Sequence, residues 1–212
     1  MACATDSDTA PTDPGPIPRY ELKVVVTGGF GAGKTTTIAS VSEIDILTTE
    51  AGLTTAGAGV DDLNGLSNKT TTTVAMDFGR ITFPEQDIIL YLFGTPGQER
   101  FQFMWDELGR GAVGAVVLAD TRRLRDSFVA INWCEHLRLP FVVAVNRFDD
   151  ALPYEPDEIR QALDLDAHVP LMVFDARERS SAWKVLYALV EHSLQQHSIR
   201  QHSHPSASGA TG

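Results

Sequence analysis

The chain has 212 residues, 43% of them hydrophobic and 21% charged, with a formal charge of −11. That length and composition fit one well-packed core, and the acidic balance argues against a nucleic-acid backbone or an anionic membrane as the main partner. The cysteines, Cys3 and Cys134, do not form a disulfide framework and fit a reducing cytosol, with Cys134 read as a small core residue.

Residues 1–18 carry Asp6, Asp8, Asp13 and several prolines, with neither a basic start nor an apolar run, and read as a disordered tail rather than a secretory leader. The folded domain is placed at 19–192. An apolar strand, Leu22 to Thr27, leads into Gly28-Gly29-Phe30-Gly31-Ala32-Gly33-Lys34-Thr35, the phosphate-binding pattern GxxxxGK followed by Ser or Thr. A triphosphate needs a concave ring of backbone N–H groups and a helix N-terminus, and a Gly-rich turn presents both without Cβ clashes. Gly29, Gly31, Ala32, Gly33 and Thr36 are the candidates for that cradle. Lys34 is placed on the β- and γ-phosphates, and the Thr35 hydroxyl on Mg²⁺.

A helical run, Thr36 to Glu43, comes next. The stretch Asp45 to Thr73 holds no strong strand, is loaded with Gly and Thr, and reads as a long mobile loop of the kind that senses nucleotide. Thr73, with Thr72 as the alternative, is the candidate γ-phosphate sensor and a second Mg²⁺ ligand. A threonine there offers a hydroxyl to the metal and an N–H to the terminal phosphate, and loses both contacts when that phosphate leaves.

Further strands are predicted at Thr73 to Phe83, Asp87 to Phe93, Val113 to Ala119, Phe141 to Val145 and Leu171 to Phe174. Near-continuous apolar runs suit parallel strands buried on both faces, whereas Thr73 to Phe83 alternates and suits an antiparallel edge strand. The predicted fold is an α/β P-loop NTPase three-layer sandwich, with a mostly parallel sheet of about six strands and helices on both faces. In the last helix Ser180 or Ser181 can cap a core stripe of Ala182, Val185, Leu186, Leu189 and Val190. Residues 193–212 read as a polar tail in which His197, His202 and His204 are solvated.

Three more segments follow the P-loop in order: Phe93-Gly94-Thr95-Pro96-Gly97-Gln98-Glu99-Arg100-Phe101, Ala144-Val145-Asn146-Arg147-Phe148-Asp149 and Phe174-Asp175-Ala176-Arg177. Together these segments resemble the Ras-like small GTPase family across the folded core. The first is similar to the family's DTAGQERF segment, which implies that Gly97 touches the γ-phosphate and Gln98 orients the attacking water, with Lys34 as the other catalytic residue. Gly94 stands where the family has an aspartate, so the carboxylate that supports Mg²⁺ is absent from that position. The second is similar to NKxD, with Arg147 for lysine. A carboxylate at Asp149 accepts from guanine N1–H and the exocyclic amine, donors that adenine lacks on that edge. The third occupies the place of the family's SAK loop, where Ala176 would offer its N–H to guanine O6, flanked by Asp175 and Arg177.

The absent aspartate, the Pro96-to-Phe101 switch, the run Thr70 to Gly79 and Asp175-Ala176-Arg177 resemble more closely the GTPase component of the actinobacterial conservons, relatives of MglA-type bacterial GTPases. That resemblance implies a cytoplasmic switch hydrolysing GTP to GDP. It also implies a Roadblock/LC7-type partner and a sensor-kinase-like membrane complex, through which any membrane association would come. The alternative is a nucleotide-binding scaffold with little turnover. No arginine occurs from Ile44 to Gly79, so the first switch supplies no arginine to catalysis, and Arg80, Arg100 and Arg110 are the remaining candidates. Phe101, Phe103, Met104 and Trp105 read either as a partner-binding patch or as core.

Overall fold

The computed structural model describes residues 20–53, 72–97 and 99–202. In chain order these form β1 (Tyr20–Gly28), α1 (Lys34–Val41), β2 (Leu47–Leu53), β3 (Thr72–Phe83), β4 (Ile88–Gly94), α2 (Trp105–Gly109), β5 (Gly114–Ala119), α3 (Ser127–Leu137), β6 (Phe141–Asn146), α4 (Pro156–Ala162), β7 (Leu171–Phe174) and α5 (Arg179–His202). Short 3₁₀ segments at Glu99–Met104 and Thr121–Asp126 precede α2 and α3.

The strands make one seven-stranded sheet in the order β2-β3-β4-β1-β5-β6-β7. β3 runs antiparallel to both β2 and β4, and every other pairing is parallel. The apolar runs explain the parallel part. Side chains alternate across a strand, so Val24 and Val26 enter one core with Ile38 of α1 and Ala182, Val185 and Leu189 of α5. Val25 enters the other core, with Trp105, Ile131, Cys134 and Ile159 from α2, α3 and α4. Every residue of β5 and β6 is buried, which leaves helices on both faces as the way to keep water off the sheet.

Two features depart from the sequence expectation. Leu47–Leu53 forms a strand inside the stretch expected to be loop, pairing with β3 from Leu47 opposite Phe78 to Leu53 opposite Thr72. Its sequence, Leu-Thr-Thr-Glu-Ala-Gly-Leu, has no clean alternation, and the edge of β3 supplies the partner groups its backbone needs. The sheet therefore has seven strands rather than about six, and antiparallel β3 lies one place in from the edge. The rest of that stretch, 54–71, lies outside the described residues.

At the other end of the domain, α5 continues through His202, so 193–202, expected to begin a tail, are helical. No Gly or Pro interrupts those residues. The expected core stripe is in place, with Ala182, Val185, Leu186 and Leu189 buried. Ser180 and Ser181 fall in the first turn, and the Ser181 hydroxyl accepts from the Asp175 N–H at 3.0 Å, steadying the loop ahead of the helix. Among the described residues no helix is long and apolar enough to cross a membrane.

Candidate nucleotide site

β1 is the central strand, and its C-terminal end turns directly into α1 through the Gly-rich loop. Open α/β sheets bind ligands at such a point, beyond the carboxyl ends of their strands. Gly28 has φ 140, and a Cβ there would lie 2.5 Å from the Leu118 carbonyl oxygen of β5. Gly33 has φ 103, and a Cβ there would lie 2.5 Å from Asn146 Nδ2. Side chains at either position would force the loop away from the strands it crosses.

Lys34 opens α1 and folds back under the loop, where its Nζ donates to the carbonyls of Gly28 at 2.9 Å and Gly29 at 2.7 Å. Burial draws its ammonium down to about 8, with the nearby Asp77 carboxylate opposing the shift. A cavity of about 430 Å³ opens beside it, bounded by Phe30, Lys34, Thr35, Asp77, Thr95 and Gly97. Thr95 is buried and ties the turn after β4 to β1, through its N–H to Val26 O at 2.9 Å and its hydroxyl to Thr27 Oγ1 at 3.0 Å. The Trp105 indole donates to Pro96 O at 3.1 Å and fixes the next residue. A Cβ on Gly97 would lie 2.7 Å from Lys34 Nζ and 3.0 Å from Phe30 Cα, so glycine is what lets this turn meet the P-loop.

The carboxylate absent at position 94 comes from the neighbouring strand. Asp77 of β3 is buried, and its Oδ2 accepts from Thr35 Oγ1 at 2.6 Å while its Oδ1 accepts from Thr48 Oγ1 at 3.1 Å. A Cβ on Gly94 would meet Asp77 Cβ at 3.1 Å, so Asp77 fills the space a side chain at 94 would take. A threonine hydroxyl and a carboxylate at the edge of a phosphate cavity are hard oxygen donors of the kind Mg²⁺ takes alongside phosphate oxygens and water. Thr35 and Asp77 are the residues that would hold the ion. Asp77 and Thr48 were not singled out as site residues in the sequence.

The segments expected to read the base lie at the ends of β6 and β7. Asn146, the last residue of β6, is buried and staples two loops together. Its Nδ2 donates to Ala32 O at 3.1 Å, and its Oδ1 accepts from the Ala176 N–H at 3.0 Å. That N–H, expected to point at the ligand, is therefore engaged by Asn146. The Arg147 N–H donates to Phe174 O at 2.8 Å, which holds its segment against β7.

Asp149 is exposed, and its two oxygens accept from Arg177 Nη2 and Nη1 at 3.1 and 3.2 Å. Arg177 is gripped in turn by Asp175, whose side-chain hydrogen bond to that guanidinium and backbone bond to the Arg177 N–H lower its carboxyl to about 2. Asp120, the residue after β5, binds Arg122, which reaches on to Asp150. Burial pushes the Asp120 carboxyl up, but the Arg122 contacts outweigh it and leave it below its ordinary value.

Thr73 lies in β3 opposite Gly52, with its side chain outside the described residues. Gln98 lies outside them as well. Of the second-switch aromatics, Phe101 and Trp105 are core, and Phe103 is 65% exposed. Arg80 is paired with Glu43 and Arg110 with Glu107.

Fold and site define a P-loop nucleotide-binding domain with a small-GTPase-like architecture. The chain belongs to the family described as conserved hypothetical ATP binding proteins, whose model matches residues 26–196. It is 29% identical over 131 residues to an uncharacterized protein of Methanocaldococcus jannaschii, covering 61% of this chain and 71% of that one. It is 30% identical over 145 residues to translation initiation factor IF-2 of Clostridium tetani, covering 66% of this chain but only 18% of the factor. Among solved structures, the G domain of the T. maritima FeoB iron transporter matches with a TM-score of 0.56 and 16% identity, covering 82% of this chain and 99% of that one. The apo cytosolic domain of the same transporter matches with a TM-score of 0.56 and 14% identity, covering 82% of this chain and 64% of that one. At such identities the structural likeness is one of fold.

Proposed function

We propose that the chain is a guanine-nucleotide switch that hydrolyses GTP to GDP and phosphate with Mg²⁺. The observation that carries this reading is the bidentate pair at Asp149, whose carboxylate takes two N–H donors from the Arg177 guanidinium. Guanine presents the same pattern, an N1–H beside an exocyclic amine. Adenine would set its N1 acceptor against the carboxylate, leaving it unpaired at a cost of about 1–3 kcal/mol. The family description favours an adenine nucleotide, and Asp149 is what weighs against it.

The P-loop amides and Lys34 bind and neutralise the phosphates. Thr35 and Asp77 would hold Mg²⁺, which supplies charge neutralisation at the β- and γ-oxygens. Gln98 follows Gly97 in the chain and orients the attacking water. The closer resemblance to the conservon GTPases extends the proposal to a cytoplasmic switch working with a Roadblock/LC7-type protein and a sensor-kinase-like membrane complex, a reading that co-purification from the native host tests.

The function is tested by titrating fluorescent GDP, ADP and XDP into the wild-type protein and Asp149→Asn. The wild type should prefer GDP. In Asp149→Asn the amide donates where the carboxylate accepted, so affinity should shift to xanthine, whose C2 carries an oxygen. Equal binding of ADP and GDP by the wild type overturns the guanine reading. GTP turnover with Mg²⁺, and its fall in Gln98→Leu, tests the hydrolytic part.

A further inference from the structure

Breaking the bond between the γ-phosphorus and the β–γ bridging oxygen places negative charge on that oxygen, and an arginine delivered there accelerates the step by about 10³–10⁵. Arg80 and Arg110 pair with Glu43 and Glu107, and the Arg100 side chain lies outside the described residues. Among the described residues, Arg123 is the arginine whose guanidinium touches the P-loop: its Nη2 donates to the Phe30 carbonyl oxygen. We propose that Arg123 is an arginine finger the chain supplies to itself, resting on Phe30 and moving onto the transferred phosphoryl group when GTP is bound. This rests on the GTP-hydrolysing reading above.

Three features carry the inference. The 3₁₀ segment Thr121–Asp126 lies directly against the outer wall of the P-loop, where a Cβ on Gly29 would be 2.8 Å from Asp126 Cβ. The segment breaks at Arg123, with φ −145 and ψ 50. Its neighbours differ from it: Arg122 goes to Asp120 and Asp150, whereas the Arg125 side chain is 92% exposed and lines a side cavity with Gly29, Phe30 and Gly97, its ion pair being the 3.9 Å one to Asp126. Finally, Phe30 is where the P-loop meets the turn at Gly97. The point a Cβ on Gly97 would occupy lies 3.0 Å from Phe30 Cα and 2.7 Å from Lys34 Nζ. Phe30 lines the phosphate cavity, so the Arg123 guanidinium rests on a residue of that cavity's wall.

Its tether is light. Asp126 stands 3.9 Å behind it and the side chain is 48% exposed. A phosphoryl oxygen is a stronger acceptor than a neutral carbonyl.

In the step itself, water oxygen bonds to the γ-phosphorus as the bond to the bridging oxygen breaks. The electron pair leaves with GDP, and the water proton ends on the released phosphate. Arg123 stays protonated throughout and donates N–H groups to the bridging and γ-oxygens.

The test compares the full chain with Arg123→Ala, Arg123→Lys and the neighbouring Arg125→Ala, measuring single-turnover GTP hydrolysis, GDP affinity, and capture of GDP with aluminium fluoride, a planar phosphoryl mimic. Arg123→Ala should slow hydrolysis by on the order of 10³-fold and lose fluoroaluminate capture while GDP affinity stays within about threefold. Arg123→Lys should recover little of the rate, because a point charge does not replace the two-pronged donor. Arg125→Ala should behave as wild type. Wild-type turnover in Arg123→Ala overturns the inference. So does a parallel fall in rate and GDP affinity, which makes Arg123 a brace for the P-loop. A wild type that binds GDP but never hydrolyses GTP overturns the finger and leaves guanine binding standing, whereas a wild type that fails to bind GDP overturns both.

Discussion

Restoring an aspartate at position 94 should damage this protein, because Asp77 already occupies the place. A Cβ on Gly94 would stand 3.1 Å from Asp77 Cβ and 3.3 Å from Asp77 Oδ2, with Ile38 Cδ1 also at 3.1 Å. Gly94→Asp therefore sets two carboxylates about 4 Å apart, a repulsion of about 4 kcal/mol at an effective dielectric of 20. Gly94→Asn has nearly the same shape without the charge and isolates the steric part. For a domain of this size, about 4 kcal/mol corresponds to a melting temperature roughly 10 °C below that of Gly94→Asn. The deficit should shrink in acid, where protonating either carboxylate removes the repulsion. Adding Asp77→Asn to Gly94→Asp should recover most of the charge-dependent loss, a coupling that a double-mutant cycle reads directly. The measurement is thermal unfolding of the wild type, Gly94→Asp, Gly94→Asn, Asp77→Asn and the double variant in EDTA without nucleotide, at pH 7 and pH 5. Equal melting of Gly94→Asp and Gly94→Asn, or no recovery in the double variant, would refute the placement of Asp77.

Other consequences are checked as simply. Because burial holds Lys34 at about 8, below the ordinary lysine value of 10.5, the folded protein releases a proton between those values. The burial cost is fully present below pH 8 and is relieved as the pH rises through that window. Phosphate binding needs the ammonium, so GDP affinity should fall about tenfold from pH 7 to pH 9, with proton uptake seen by calorimetry in two buffers. Arg177→Ala frees Asp149 from an exposed ion pair worth about 0–1 kcal/mol, so GDP should bind up to about fivefold tighter in a fluorescence titration. Gly79→Ala puts a Cβ 2.6 Å from Ile38 Cγ2, where β3 crosses α1. It should cost about 1–3 kcal/mol in chemical denaturation, and Ile38→Leu, which drops the Cγ2 branch that the new Cβ meets, should recover part of that loss.

The central strands were legible because burial on both faces writes them as unbroken apolar runs. Leu22 to Thr27 and Phe141 to Val145 needed only a residue or two of extension. β2 was not legible, since its pairing comes from β3 rather than from its own pattern. Asp77 was hidden in plain view. In β3 the buried positions Asp77, Gly79 and Ile81 fall on one parity. A carboxylate among them was the available signal, because an ion on a core-facing position needs a partner. Arg123 gave no such signal, since its reach depends on a backbone break that no local residue pattern announces. The segments Asn146 to Asp149 and Asp175 to Arg177 were visible as motifs, but the sequence could not show that Arg177 would lie on Asp149.

Asn146 has a consequence for how the two ends of the site relate. One amide side chain grips the P-loop through Ala32 and the base loop through Ala176. The spacing between the P-loop and the proposed base loop is thus set before any ligand arrives. A nucleotide that engages one end finds the other already in register, much as a short rigid linker raises effective concentration in a bivalent binder. The same coupling runs in reverse. A partner that pulled the base loop from its position would strain the phosphate loop too, so nucleotide release could be driven from a surface that never touches a phosphate.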